Sequence, residues 1–495
     1  MLKTSLILLT IALFALLAAD IEVLTLDPWR ELGRLTLGFF TPDFLAVWNF
    51  KEALLNTIVF AFCGTSLGIL LGTILAFKFE LTAVRLFAAF VRSIHEIFWV
   101  LLFLPVFGLN AFCGVLAIAV PYAGIFAKVY AEIIQESEAR PRDLVPVGTS
   151  GVSLFFYAVL PVVWNDLKQY TAYRFECALR SSTVLGFIGL PTLGFHLETA
   201  FSEGLYSQAG ALLLLFYLLV SSLRWWLKPK FVVLFSILSW SVLPLTTQFS
   251  WENMIRFFSW EIVPWPLRRD GFFAGTGEVS WNLNAVSEWF VKLLNEEIFW
   301  GVINTLILTQ IALVGSAVIA LVLFPTVSQH FSTKLLRQVS HLQLIVLRST
   351  PEYLLAYIFI LLWGPSMLPA IIAISLHNGA ILAFLIGRHS NLINLCHGFP
   401  KRRLDRYFFE ILPRIYGSFL AFLFYRWEVI LRESAILGIL GVATLGFYID
   451  SGFAEEKLDV AFVLLLVTAL LNLTVDHISQ RTRKHLHLSN ETSSI

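Results

Sequence analysis

Long apolar stretches separated by short polar ones recur along the whole chain. Residues 6–19 are apolar, and after a polar, tryptophan-bearing connection at 20–50 comes an apolar run at 53–77. At 1.5 Å per residue, such a run is long enough to cross a hydrocarbon core of ~30 Å. Residues 96–131 are too long for one crossing and are broken at Pro105 and Gly108. They predict an out-and-back pair of helices, because proline removes a backbone donor and glycine relaxes the chain. Runs at 155–189 and 205–226 follow. The order then starts again: 231–245, a longer polar connection at 251–297, and runs at 298–324, 352–385 (broken at Gly364-Pro365), 408–441 and 460–475. The pattern predicts six crossings, twice.

The two halves share residues as well as rhythm. YRFECALRSSTVLGFIGLPTLGF at 173–195 is repeated as YRWEVILRESAILGILGVATLGF at 425–447. Arg174 and Arg426, Pro161 and Pro413, and Gly194 and Gly446 all stand 252 positions apart. Upstream, Asn56-Thr57 and Asn304-Thr305 stand 248 apart, and Arg92-Ser93 with Glu96 stand 256 before Arg348-Ser349 with Glu352, so small insertions fall in the connections. The chain reads as a tandem duplication, with one repeat at 1–230 and the other at 231–495. The apolar run at 6–19 could pass for a secretory leader ending at Ala18-Ala19. Its counterpart at 231–245 lies where no leader can stand, so a retained anchor helix is expected.

Composition then fixes the class: 58% hydrophobic residues, 45 Phe, 15 Trp and 14% charged residues, with a mean hydropathy of +0.78, describe an integral membrane protein. The net charge of +1 and the absence of any basic tract set nucleic-acid binding aside. Lys78, Arg85 and Arg92, then His330, Lys334, Arg337 and Arg348, mark connections that the positive-inside rule places in the cytoplasm. The loops at 135–150 and 387–406, with Arg140, Arg142, Lys401, Arg402, Arg403 and Arg406, belong to the same side. Both termini are expected there too. An even number of crossings per repeat relates the repeats by an axis along the membrane normal. Cys63, Cys113, Cys177 and Cys396 show neither pairing nor CxxC spacing, so no disulfide framework or zinc motif is indicated.

The repeated segment places charges where lipid would penalise them by ~2.5–3.5 kcal/mol each, so they face protein or water. Glu176 with Arg180, and Glu428 with Arg432, are spaced i,i+4 and can pair along one helix face. They read either as internal ion pairs or as groups lining a path, where a guanidinium fork suits an oxyanion. Gly186, Gly189 and Gly194, with Gly438, Gly441 and Gly446, read either as close-packing positions or as the bends of an outer gate.

The segments YRFE…R…LG..G..TLGF, RSTPE at 348–352, and YRWEVILRESAILGILGVATLGFYIDS continuing to LN..VD..S...R at 471–483 resemble the permease subunits of phosphonate-type ABC importers, over most of both halves. The resemblance implies an all-α membrane protein of type I importer kind: about twelve transmembrane helices in two parallel six-helix repeats, two permease copies fused head to tail in the bacterial inner membrane. It also implies two ATP-binding cassette subunits on the cytoplasmic side, docked around 140–148 and 399–406 (Arg142, Gly148, Pro400, Arg403), and a periplasmic substrate-binding protein. Phosphonate, phosphite or phosphate is the implied cargo. Arg142, Asp143 and Leu144 stand where that superfamily usually has Glu-Ala-Ala, and Pro400 replaces its glycine in the second repeat.

No GxxxxGK[ST] stretch is present, so the chain cannot cradle ATP in a P-loop; no cofactor is expected on it, and ATP would be bound by the partner subunit. There is no HExxH, and the histidines lack ligand spacing, so neither an enzyme's catalytic site nor a metal site of its own is expected. The alternative is an ion-coupled secondary transporter with parallel six-helix repeats, which would be expected to offer a midplane carboxylate to its coupling ion.

Overall fold

The computed structural model describes residues 1–25, 27–45, 50–137, 149–243, 250–268, 283–395 and 402–486. Among them there is no strand, and the helices follow the apolar runs. In the first half these are α1 (Leu2–Ala18), α2 (Pro28–Phe40), α3 (Phe50–Ala76), α4 (Thr82–Ser93), α5 (Glu96–Phe107), α6 (Ala111–Ser137), α7 (Gly151–Leu154), α8 (Leu160–Val184), α9 (Leu193–Ser202), α10 (Tyr206–Trp226) and α11 (Pro229–Val242). In the second half they are α12 (Trp251–Arg256), α13 (Leu283–Leu293), α14 (Phe299–Val327), α15 (Lys334–Ser349), α16 (Glu352–Trp363), α17 (Met367–Ser390), α18 (Arg403–Asp405), α19 (Leu412–Ile436), α20 (Leu445–Ala454) and α21 (Leu458–His485).

Among the described residues, seven helices are long and apolar enough to cross a membrane, or up to ten spans if each of three bent pairs crosses once. Two of those pairs, α4 with α5 and α15 with α16, turn by 96° and 90°. Helices α1 and α11 are apolar but shorter. Twelve crossings were expected from the sequence, and helix length and composition alone account for seven to ten.

Chemistry explains the breaks. Gly108 and Gly364 close α5 and α16 with φ of 73° and 90°, a region that costs a Cβ-bearing residue strain. Each repeat also widens into a π-helical turn, Phe155–Val159 and Arg406–Ile411, just before its Leu-Pro. Pro161 and Pro413 cannot donate a backbone hydrogen bond, and an extra residue in the preceding turn accommodates the lost ladder position.

Contacts group the chain into two units, residues 33–257 and residues 1–32 with 258–495. In the first unit α3 packs along α6. A Cβ on Gly64, Gly68 or Gly72 would meet Ile118, Tyr122 or Phe126 at 2.6, 2.9 and 2.5 Å, so this i,i+4 glycine face sets how closely the helices approach. Helix α8 packs on both, and α11 lies on α3, with Trp240 Nε1 donating to Ser66 Oγ at 2.9 Å. In the second unit α14 packs along α17, α19 against both, and α1 on α14. Gln310 Nε2 donates to the Leu8 carbonyl at 2.9 Å, and Ser5 Oγ lies 2.6 Å from the Tyr416 hydroxyl. The first helix of each sequence repeat thus packs in the unit that holds the core of the other repeat.

Candidate functional site

The two copies of the repeated segment fold alike. Each starts inside a long helix, α8 or α19, tightens into a 3-10 turn (Leu185–Ile188, Leu437–Leu440), and leaves through a left-handed glycine, Gly189 (φ 93°) or Gly441 (φ 86°), into a short helix, α9 or α20. The exits are held by matching bonds: Thr57 Oγ1 accepts the Leu193 N–H at 3.0 Å, and Thr305 Oγ1 accepts the Leu445 N–H at 3.0 Å. Asn56 Nδ2 donates to the Pro191 carbonyl at 2.9 Å, and Asn304 Nδ2 to the Ala443 carbonyl at 2.8 Å. An Asn-Thr pair facing lipid would be expensive; here it satisfies the backbone of a bend inside a membrane protein.

The glycines have steric duties in this bend. A Cβ on Gly186 would collide with the Phe195 backbone nitrogen, one on Gly194 with the Thr183 carbonyl, and one on Gly438 with the Phe447 nitrogen and with Gly446. Gly189 and Gly441 supply the left-handed backbone.

Charged side chains cluster one to four turns before the bend. Arg174 lies among the rings of Tyr122, Tyr170 and Tyr173, at 5.9, 5.2 and 5.7 Å from their centroids, and donates Nε to the Tyr170 hydroxyl at 2.8 Å. Glu176 and Arg180 are half-buried on α8, and Arg180 Nη2 donates to Cys177 Sγ at 3.4 Å. Glu428 and Arg432 are half-buried at the same places on α19. Of the docking-loop residues, Arg142, Gly148 and Pro400 lie outside the described residues. Arg403 opens α18 and is exposed; the following turn is tied down by Arg406 Nη1 to the His330 carbonyl and Tyr407 Oη to the Leu321 carbonyl, both 3.1 Å.

Sequence reasoning missed a second layer of ionisable groups around the first residue of the second bent helix. In the first unit Glu96 Oε2 lies 3.1 Å from His95 Nε2, and Oε1 accepts the Ser181 hydroxyl at 3.4 Å. In the second, Glu352 faces His377 Nε2 at 3.7 Å, and Glu433 accepts Asn378 Nδ2 at 2.7 Å. The available signal was an acidic residue at equivalent places of two apolar segments.

Gly64-Thr65-Ser66-Leu67-Gly68 spells the GxSxG of a hydrolase nucleophile elbow, but it lies within the continuous helix α3. Ser66 Oγ donates to the Cys63 carbonyl at 3.0 Å and accepts from Trp240. An elbow needs the serine on a sharp strand-to-helix turn, so this serine is a packing residue.

No protein-family model matches the chain, and no solved structure does. Among curated proteins, the phosphate-import permease protein PhnE of Mycolicibacterium smegmatis is 23% identical over 464 residues, covering 87% of this chain and 84% of that one. The phosphite transport system permease protein PtxC of Stutzerimonas stutzeri is 26% identical over 190 residues, 36% of this chain and 69% of its own. The putative cryptic phosphonate transport system permease protein PhnE2 of Escherichia coli is 32% identical over 109 residues, 22% of this chain and 89% of its own.

Proposed function

The chain belongs to the permease family of phosphonate-type ABC importers, and on that premise we propose that it forms the whole transmembrane pathway of an importer for phosphonate, phosphite or phosphate in the bacterial inner membrane. The observation that carries this reading is the duplicated α8 and α19 segment, which repeats the same threonine-held bend and the same half-buried Glu/Arg spacing within one chain. Relatives with similar sequence are named for the transport of phosphate, phosphite and phosphonate.

The seven long helices, three bent pairs and two short apolar helices supply six elements to each sequence repeat, which supports twelve crossings in two parallel sixes. In this reading Arg180 and Arg432 line the path and offer guanidinium forks to an oxyanion. The bends at Gly186–Gly194 and Gly438–Gly446 form the outer gate, which a periplasmic binding protein opens. Two ATP-binding cassette subunits dock at 140–148 and 399–406, where Arg403 is exposed, and supply the energy. One copy of the fused chain per complex provides both docking loops.

Uptake of labelled phosphate, phosphite and methylphosphonate into vesicles, with and without the cognate ATPase, tests this. Uptake of at least one oxyanion that requires both ATP and the ATPase supports it. Uptake by the chain alone, driven by an imposed proton or sodium gradient, would instead establish the secondary-transporter reading.

A further inference from the structure

Glu352 at the start of α16, His377 in the middle of α17 and Glu433 near the end of α19 come together, each offering one ligand atom within 4.8 Å of the others. All are sequestered: His377 is 2% and Glu433 6% exposed, and the Glu352 side chain 13%. Two carboxylates this close stay ionised together only with positive charge between or beside them. Arg432 and Arg426, one and seven residues before Glu433 on the same helix, act on it electrostatically.

Two further observations point to a ligand. His377 Nδ1 lies 3.2 Å from the Leu347 carbonyl, which can only accept, so Nδ1 carries a proton and donates it. Metal-ligating histidines are typically oriented in this way, with the other ring nitrogen turned to the ion. Here that nitrogen, Nε2, faces Glu352 Oε2 at 3.7 Å; two ligand atoms ~2.1 Å from one tetrahedral ion stand about 3.4 Å apart. Second, Asn378 is 0% exposed, and while its Nδ2 orients Glu433, its Oδ1 has no hydrogen-bond partner. An orphaned, fully buried amide oxygen on the residue that holds Glu433 is a costly group that a cation would satisfy.

We propose that Glu352, His377 and Glu433, with the Asn378 amide oxygen as a fourth donor, bind one divalent transition-metal ion, clipping α16, α17 and α19 together at the base of the bend. Imidazole with carboxylates suits zinc and its neighbours in the first row. Among the described residues, the second repeat carries this cluster and the first does not. At the equivalent places the first repeat has Glu96 but Pro121, Tyr122 and Ser181, hence a single carboxylate.

The test uses the full chain purified in detergent, stripped with a chelator and equilibrated with Zn²⁺ or Co²⁺ at micromolar free concentration. Mass-spectrometric metal analysis should find one Zn²⁺ per chain, and Co²⁺ should give the intense visible bands of a tetrahedral site. Glu433→Gln and His377→Gln should lose both, Asn378→Ala should weaken zinc binding about 10–100-fold, and Glu96→Gln should change neither. No stoichiometric metal on the wild type, or full occupancy in Glu433→Gln, overturns the proposal. Should those variants fail to assemble, the infrared spectrum of the wild type decides. A protonated-carboxyl band that persists at saturating zinc shows that a proton holds the carboxylates together; its loss on adding zinc shows that the metal does.

Discussion

Gln310, buried on α14, donates its side-chain amide to the backbone carbonyl of Leu8 on α1 across 2.9 Å, which ties the first helix of one repeat to the core helix of the other. Trp240 on α11 does the reciprocal work against Ser66 on α3. Single polar contacts between membrane helices contribute about 0.6 kcal/mol on average and up to ~1.7. Gln310→Leu and Trp240→Phe should therefore each lower the thermal midpoint of the detergent-solubilised protein modestly. The double variant should show the sum of the two losses, since the sites share no partner. A midpoint unchanged in both single variants would mean that apolar packing alone holds these helices.

Thr57 and Thr305 test the repeat more sharply. Each hydroxyl accepts a buried backbone N–H, from Leu193 or Leu445. Valine has the same shape but leaves that N–H unpaired, at a cost of about 1–3 kcal/mol, whereas serine keeps the acceptor. Thr57→Val and Thr305→Val should destabilise the protein by similar amounts and the serine variants by much less. Unequal losses, judged by thermal unfolding, would show that the two bends are not energetic equivalents.

These threonines also show what can be read from one dimension. Asn56-Thr57 and Asn304-Thr305 are recognisable as repeat markers, because lipid tolerates few polar groups and a polar pair in an apolar run stands out. Their partners, 136 and 140 residues away, are not legible, since helix periodicity says nothing of which helix lies alongside. The same limit hid Glu352, His377 and Glu433, separated by 25 and 56 positions on three helices. It also hid the lodging of α1 against α14. The long helices were legible because one solvent, the hydrocarbon core, dictates their length. The short helices α1 and α11 and the bent pairs are where crossing number stops following from length.

Gly438 separates packing from backbone freedom. A methyl group there has nowhere to go between Gly446 and the Phe447 nitrogen, and backbone cannot yield as a flexible side chain does. Gly438→Ala should cost more than about 3 kcal/mol and deplete the protein from the membrane. Gly33, on α2, has nothing within 4 Å of its missing Cβ. Gly33→Ala should therefore be neutral or stabilise by up to ~1 kcal/mol, as alanine does in a helix. Membrane abundance and size-exclusion profiles of the two variants check this, and a well-assembled Gly438→Ala protein would contradict the geometry.

Arg180 and Arg432 carry the transport proposal. Removing one arginine alone would confound charge imbalance with function, because its i−4 glutamate would lose a neighbouring cation. The informative change is paired: Glu428→Gln with Arg432→Gln, and Glu176→Gln with Arg180→Gln, which remove one charge of each sign and leave the net charge of the helix unchanged. If the arginines stabilise an oxyanion in transit, both double variants should assemble, bind the ATPase and fail to move substrate. Arg432→Lys, which keeps the charge but loses the planar fork, should then transport at a reduced rate. Oxyanion uptake into vesicles, normalised to assembled complex, reads this out. Full uptake by the well-assembled Glu428→Gln, Arg432→Gln protein would end the oxyanion role of Arg432 and leave these charges as supports between helices.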